Sequence, residues 1–378
     1  MDKTKTHIII TADDYGFSNE VDKGIINAAK SGLISSIAAL PNGYLSAERL
    51  GFLKQIQDDY EAKRLVHSDS KVDHLSVGCH FTITSGRPLS DAAKNCRYLT
   101  KNNGYFREYT KMRFPRNENK RKELEEIVYT ELVEQLNSMR KHVVVDHLSS
   151  HHDSLIFFDE YYNAFLRVSK ETGIPVRSPV MRPRSRERLY YGQIGFRSMG
   201  NLFGSWLEYR KFRKKRFKGL MQLSEDIKSP DFLFGGNYMS GTLAGGVFEP
   251  KRQQAMAKSK LFKHYDDREE TASGTSHYNS IECKNPLDMD GSVVEICAHL
   301  IDPNNTIDYN EGGPLFSRKT DKGKPNKHYY PGVSTSYFDG REIEYKLLEL
   351  MKSRIYHDKQ VEIFNWKSLV TDKPWPYA

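Results

Sequence analysis

Cysteine is scarce in this chain, with four among 378 residues, at Cys79, Cys96, Cys283 and Cys297. Their spacing contains no C-x-x-C and no density of pairs. That excludes a disulfide framework and leaves reduced, mostly buried thiols. Long apolar runs are missing as well, and no stretch reaches membrane-spanning length. A leader pattern is also absent, since the first apolar strand opens at residue 7, and a cytoplasmic location is the resulting expectation. The one sequon, Asn304-Asn305-Thr306, then has no glycan to carry. No internal repeat is visible. Hydrophobic residues make up 38 % and the mean hydropathy is −0.67, which describes a polar globular chain. Tyrosine (22) and phenylalanine (19) are plentiful, which suits a packed fold and sugar-binding surfaces. The length allows one large domain or two ordinary ones. The formal charge of +8 comes largely from local basic stretches and says little about the fold.

The most informative stretch is 7–16, His-Ile-Ile-Ile-Thr-Ala-Asp-Asp-Tyr-Gly. Its β-branched run, followed by a helix-like segment, reads as a buried parallel strand. Ligands of α/β sheets and barrels gather at the carboxyl ends of such strands, where Asp13 and Asp14 sit. Adjacent carboxylates on an extended chain point to opposite faces, so one is expected to hold a metal while the other faces substrate or a cation. The structural alternative is a loop in which one Asp caps the next helix, as Ser18 could also do.

Helical spacing over 18–31 ends at Gly32, and 33–40 reads as a second strand. A helix over 46–58 precedes a strand at 75–81 that brings His80 to its carboxyl end. The strongest helix covers 119–141, with Leu124, Ile127, Val128, Leu132, Leu136 and Met139 on one face. A buried strand over 142–147 then runs into His151, His152 and Asp153. A helix at 158–172 stops at Gly173, and 174–177 follows as a short strand. The pattern degrades over 183–288, which holds the basic run 210–218 and a polar loop near 264–280. It resumes with a strand at 292–298 that delivers His299, then a surface loop over 303–338, a helix at 341–355 and a strand at 360–365. Such β-then-α alternation argues for a parallel sheet or barrel.

Strand ends thus carry Asp13-Asp14, His80, the His147/His151/His152 cluster and His299. Each histidine alone is most simply a satisfied core or capping residue, but only one rim of such a fold collects strand carboxyl ends. A carboxylate with two imidazoles makes a three-point site for a divalent metal. The second carboxylate can serve as general base, and a protonated histidine can donate to a leaving group. Those parts fit hydrolysis of an amide or ester. Spacing alone leaves open whether His147 or His151 faces inward.

Four motifs occur in order: Ile9-Ile-Thr-Ala-Asp-Asp-Tyr-Gly-Phe-Ser, Val77-Gly-Cys-His-Phe-Thr-Ile-Thr-Ser-Gly-Arg-Pro-Leu89, His147-Leu-Ser-Ser-His-His and Val294-Glu-Ile-Cys-Ala-His299. Together they resemble the YdjC-like carbohydrate deacetylases, the chitooligosaccharide deacetylase family, over about 1–182 and 289–370. Ser35-Ser36, Pro41-Asn42-Gly43 and Gly173-Ile-Pro-Val-Arg177 resemble further stretches of it. The resemblance implies a single domain over 1–378 with an irregular (β/α) TIM-like barrel, a divergent insertion at 183–288 and removal of acetyl groups from N-acetylated amino sugars or oligosaccharides. It implies a divalent ion, Mg²⁺ or Zn²⁺, on Asp14, His80 and His151, with Asp13 as base, His299 as leaving-group acid and Arg177 at the substrate. A homodimer is compatible with it, and nucleic acid is not an expected partner.

The family's His-x-Asp-Ser-His-His-His reads His147-Leu-Ser149-Ser-His-His-Asp153 here, its His-Pro reads His299-Leu300, and its Asn before Ala-Asp-Asp is Thr11. Loss of the Asp at 149 is expected to weaken a hydrogen bond that orients a ligand, worth about ten- to a hundredfold in affinity or activity. His152 and Asp153 are expected to line the pocket and bear on substrate preference. Two rival readings remain beside deacetylation. One is an esterase acting on O-acetyl sugars. The other is a repurposed scaffold that binds an anionic partner through 210–218, whose simpler reading is a solvated helix face.

Overall fold

The computed structural model of the chain describes most of residues 2–182, then 227–235, 291–304 and most of 341–372. The basic run 210–218, the loop near 264–280 and nearly all of 303–338 lie outside the described residues.

Strand β1 (Thr6–Tyr15) is buried along its whole length, as its apolar run requires of a strand covered on both faces. It pairs in parallel with β2 (Ser36–Ala39), with β7 (Val293–His299) and, at its start, with β8 (Val361–Ile363). Beyond β2 lie β3 (Ser76–Phe81) and β4 (His147–Ser150). Beyond β7 lie β6 (Phe232–Gly235) and β5 (Met181–Arg182), so the order is β4-β3-β2-β1-β7-β6-β5 with every pairing parallel. Residues 175–177 draw the two ends together. Leu148 N donates to Pro175 O and Arg177 N to Leu148 O, while Val176 N donates to Lys228 O just ahead of β6, each at 2.9 Å. The sheet therefore curls as the strands of a TIM-like barrel do, and its strand carboxyl ends share one rim.

Helices fill the connections. Helix α1 (Asn19–Lys30) is capped by Ser18, whose hydroxyl accepts from Val21 N at 3.4 Å, and Gly32 takes the left-handed turn beyond it. Helix α2 (Ala47–Glu61) follows β2. The short α3 (Asp91–Lys94) and the long α4 (Glu118–Arg140) follow β3, and α4 buries Leu124, Val128, Leu132, Leu136 and Met139 as the spacing predicts. Helix α5 (Asp159–Thr172) ends at Gly173, where φ is +68°. The chain closes on α6 (Trp366–Asp372).

Two differences from the sequence reading bear on the site. The strand expected at 142–147 forms instead at 147–150, because α4 ends in a turn with His142 and Val143 donating to Met139 O, and Val144 is left exposed. His147 therefore starts its strand and lies deep in the barrel. Its ring stacks on Trp366 (4.4 Å between centroids, 8° between planes), beside a small apolar cluster of Ile9, Val293, Phe364, Trp366 and Leu369. A Cβ at residue 78 would run into that imidazole, which is why Gly78 faces it across the β3–β4 pair. Secondly, the stretch read as a divergent insertion, 183–288, contains β6, a strand of the sheet itself.

Candidate active site

The site is built on an irregularity at the carboxyl end of β1. The β1–β2 register shifts between Asp13 and Tyr15, and Asp14 has φ of +74°, a left-handed conformation that Asp tolerates better than most residues. Ideal alternation would send the two carboxylates to opposite faces; this kink turns Asp14 back toward the barrel interior. Both are almost fully buried, and both reach one imidazole: His80 Nε2 is 3.4 Å from Asp14 Oδ1 and 3.7 Å from Asp13 Oδ2.

Asp14, His80 and His151 come from the ends of β1, β3 and β4, and one ligand atom from each lies within 4.8 Å of the others. His151 Nδ1 is 2.9 Å from Asp14 Oδ1. Neighbouring ligands on one ion, at metal bonds of about 2.1 Å, are about 3.0 Å apart in an octahedron and about 3.4 Å in a tetrahedron. The observed spacings of 2.9 and 3.4 Å are short enough for the three side chains to reach one ion, and without one His151 and Asp14 are hydrogen-bonded to each other. On its far side His80 Nδ1 meets Ser149 Oγ at 2.7 Å, and a proton on Nδ1 there leaves Nε2 a lone pair toward the centre. The hydroxyl at 149 thus supplies the orienting contact that the sequence reading expected to be weakened. His151 Nε2, the ring nitrogen turned away from Asp14, is buried without a hydrogen-bond partner among the described residues. His147, the other candidate, lies four residues earlier at the start of β4, and burial together with the nearby Arg177 charge holds its pKa well below the usual value.

Asp13 is held from below. Arg177 Nη1 and Nη2 donate to its two oxygens at 2.6 and 2.7 Å, and Cys297 Sγ lies 3.1 Å from Oδ2. Arg177 also donates to Glu295 Oε1 through Nε (3.0 Å) and Nη2 (2.8 Å). Arg177, expected at the substrate, thus divides its donors between Asp13 and Glu295. Burial alone would raise the pKa of Asp13, but the charges of Arg177 and His80 outweigh it and hold the carboxylate well below its usual range. Asp14 is likewise lowered, with His151 and Arg341 outweighing its burial.

His299, at the end of β7, presents Nε2 3.9 Å from Asp14 Oδ2 and Nδ1 3.8 Å from Glu344 Oε2. Glu344 also accepts from His299 N at 2.6 Å. Burial would lower His299, but Glu344 and Asp14 outweigh it and its pKa is raised. Arg341, in the same helical stretch as Glu344, donates to Asp14 Oδ2 at 2.5 Å. His152, with φ of +56°, stacks on His151 and meets Thr84 Oγ1 through Nδ1 at 3.1 Å. Asp153 follows with φ of +48°, and burial pushes its carboxyl up to about 7. Buried Glu131 accepts from Leu89 N and Ser90 N, and Gln135 clasps Thr82 N and O, so α4 fixes the rim loop after β3.

Sequence reasoning missed Glu295, Cys297, Arg341 and Glu344. A lone carboxylate inside the apolar run Val293-Val-Glu-Ile was a legible signal for Glu295, since a buried charge requires a partner. Arg341 and Glu344 lie beyond a long polar stretch, where no local pattern marks them.

Comparison with known proteins identifies the relatives of this chain. A family model described as "YdjC-like protein" matches residues 7–299. A "Carbohydrate deacetylase" of Clostridium beijerinckii is 29 % identical over 175 residues, 45 % of this chain and 59 % of that protein. A "Chitooligosaccharide deacetylase" of Proteus mirabilis is 26 % identical over 176 residues, 45 % of this chain and 58 % of the relative. The aligned region thus spans under two thirds of either relative. A crystal structure from Enterococcus faecalis V583, provisionally described as a cellobiose-phosphate cleavage protein, superposes over 97 % of this chain and 98 % of its own, with a TM-score of 0.54. At 18 % identity that likeness concerns the fold alone.

Proposed function

The chain belongs to the YdjC-like protein family, and from that premise we propose that it is a metal-dependent carbohydrate deacetylase that removes acetyl groups from N-acetylated amino sugars. The observation that carries this reading is the convergence of Asp14, His80 and His151 within 4.8 Å, beside a second carboxylate and a histidine with raised pKa. A divalent ion, Mg²⁺ or Zn²⁺, would be held by those three side chains, and its chemistry is to polarise the acetyl carbonyl and to ease deprotonation of the attacking water.

This chain's own residues do the remaining work. Asp13, ionised and aimed by Arg177, accepts the proton of the attacking water. Its low basicity is compensated by fixed orientation, since a base in position adds about 10²–10⁴-fold to rate. His299, protonated with support from Glu344, gives its proton to the departing nitrogen. That last feature favours amide over ester cleavage, because an amine leaves poorly without a proton. Buried walls around both groups exclude bulk water and strengthen their electrostatics.

The test is release of free amine and acetate from N-acetylglucosamine oligomers by the metal-loaded protein. Chelation abolishes it, and returning Mg²⁺ or Zn²⁺ restores it. Acetate from O-acetyl esters alone would establish the esterase reading instead.

A further inference from the structure

Among the carboxylates around the centre, Asp153 stands apart. Asp13 is gripped by Arg177, Asp14 by His151 and Arg341, and Glu344 by the His299 amide. Glu295 receives two bonds from Arg177. Asp153 lies two residues past His151, only 7 % exposed, and shares the interior field of Arg177, Asp13, Glu295 and His299. Yet among the described residues no donor is hydrogen-bonded to its carboxylate. Its oxygens are not among the fully enclosed unpartnered atoms of the described residues, so they stay open to a group entering the interior, and Arg177 has its donors turned to Asp13 and Glu295.

The backbone makes an independent observation. His152 and Asp153 are successive non-glycine residues at positive φ, +56° and +48°. Strain of this kind persists where the surroundings over-determine it, and it concentrates at ligand sites. Here it bends the chain directly after His151.

We infer that Asp153 is a substrate-specificity residue whose carboxylate accepts a hydrogen bond from a hydroxyl of the sugar seated at the Asp14–His80–His151 centre. The inference rests on the deacetylase reading above and adds to it the group that recognises the sugar. A neutral hydroxyl fits better than a cation, because Arg177 already supplies positive charge to this interior. A site with an acceptor reserved for a hydroxyl discriminates strongly against an analogue that lacks it, whereas an apolar pocket does not.

The experiment measures kcat/KM for N-acetylglucosamine oligomers and their monodeoxy analogues in wild type, Asp153→Gly and Asp153→Asn. Glycine keeps the left-handed backbone at no steric cost, and Asn tolerates it, so both variants are compatible with the fold. In wild type one deoxy analogue falls by about 5–100-fold, the cost of leaving a polar group of the site without its partner. In Asp153→Gly the parent sugar falls by a similar factor and the parent-to-deoxy ratio collapses to about one. An unchanged ratio in Asp153→Gly overturns the inference. If wild type releases no acetate, the deacetylase reading fails by itself, and the role of Asp153 is read from sugar binding by saturation-transfer NMR on the zinc-loaded chain. Weaker binding of N-acetylglucosamine oligomers by Asp153→Gly supports it; equal binding in the two proteins, or none in either, overturns it.

Discussion

At the scale of single residues, two pairings beside the centre give the proposed acid and base opposite electrostatic surroundings. Arg177 lowers the pKa of Asp13, and Glu344 raises that of His299. The folded-state pKa of His299 is raised, so its acid form survives above its usual value near 6.5 and is lost as pH rises through the higher folded value. Stability from the His299–Glu344 contact has the same sign: fully present below the unfolded pKa, lost above the folded one. Glu344→Gln removes the charge that raises it. The alkaline limb of kcat/KM should then move to lower pH while the acid limb stays, as a pH–rate profile from pH 5 to 9 would reveal. An alkaline limb unmoved by Glu344→Gln would detach Glu344 from the proton inventory. Among these residues strand-end position marked Asp13, Asp14, His80 and His299, whereas spacing left His147 and His151 both open and the family resemblance alone pointed to His151. The sequence could not expose the kink at Asp14, since that φ is set by β1's neighbours and by Arg341, which is 327 positions away in sequence.

At the scale of elements, local pattern located β1, β3, β7, α4 and α5 within a few residues, because long apolar periods are strong signals. It failed at β4. Val143-Val-Val145 looks like a strand core, yet the turn after α4 consumes those residues, and pairing with β3 starts at Gly78–His147. The two-residue β5 and the four-residue β6 are too short to announce themselves. The β3–β4 contact supplies a direct stability test. Gly78→Ala places a methyl against the His147 ring, and overpacking of this kind costs about 1–3 kcal/mol. The thermal midpoint should fall accordingly, and His147→Ala combined with Gly78→Ala should lose less than the sum of the single changes. Strict additivity would mean that the two residues do not meet as described.

At the scale of the whole molecule, the eight parallel-paired strands among the described residues, with the helical stretch that carries Arg341 and Glu344, gather the site's side chains at one rim, which is the organising advantage of a barrel-like sheet. Overall charge contributes little to that arrangement; the ionised groups that matter are buried and paired. The central claim is that Asp14, His80 and His151 hold a divalent ion while Asp13 acts beside it without being needed to bind it. Calorimetric titration with Zn²⁺ of wild type, Asp14→Ala, His80→Ala, His151→Ala, Asp13→Asn and His147→Ala tests it most directly. One equivalent should bind wild type, Asp13→Asn and His147→Ala with comparable affinity, whereas each of the three ligand variants should lose binding by at least about tenfold. Unchanged Zn²⁺ affinity in Asp14→Ala, His80→Ala or His151→Ala, or loss of binding in Asp13→Asn, would contradict it.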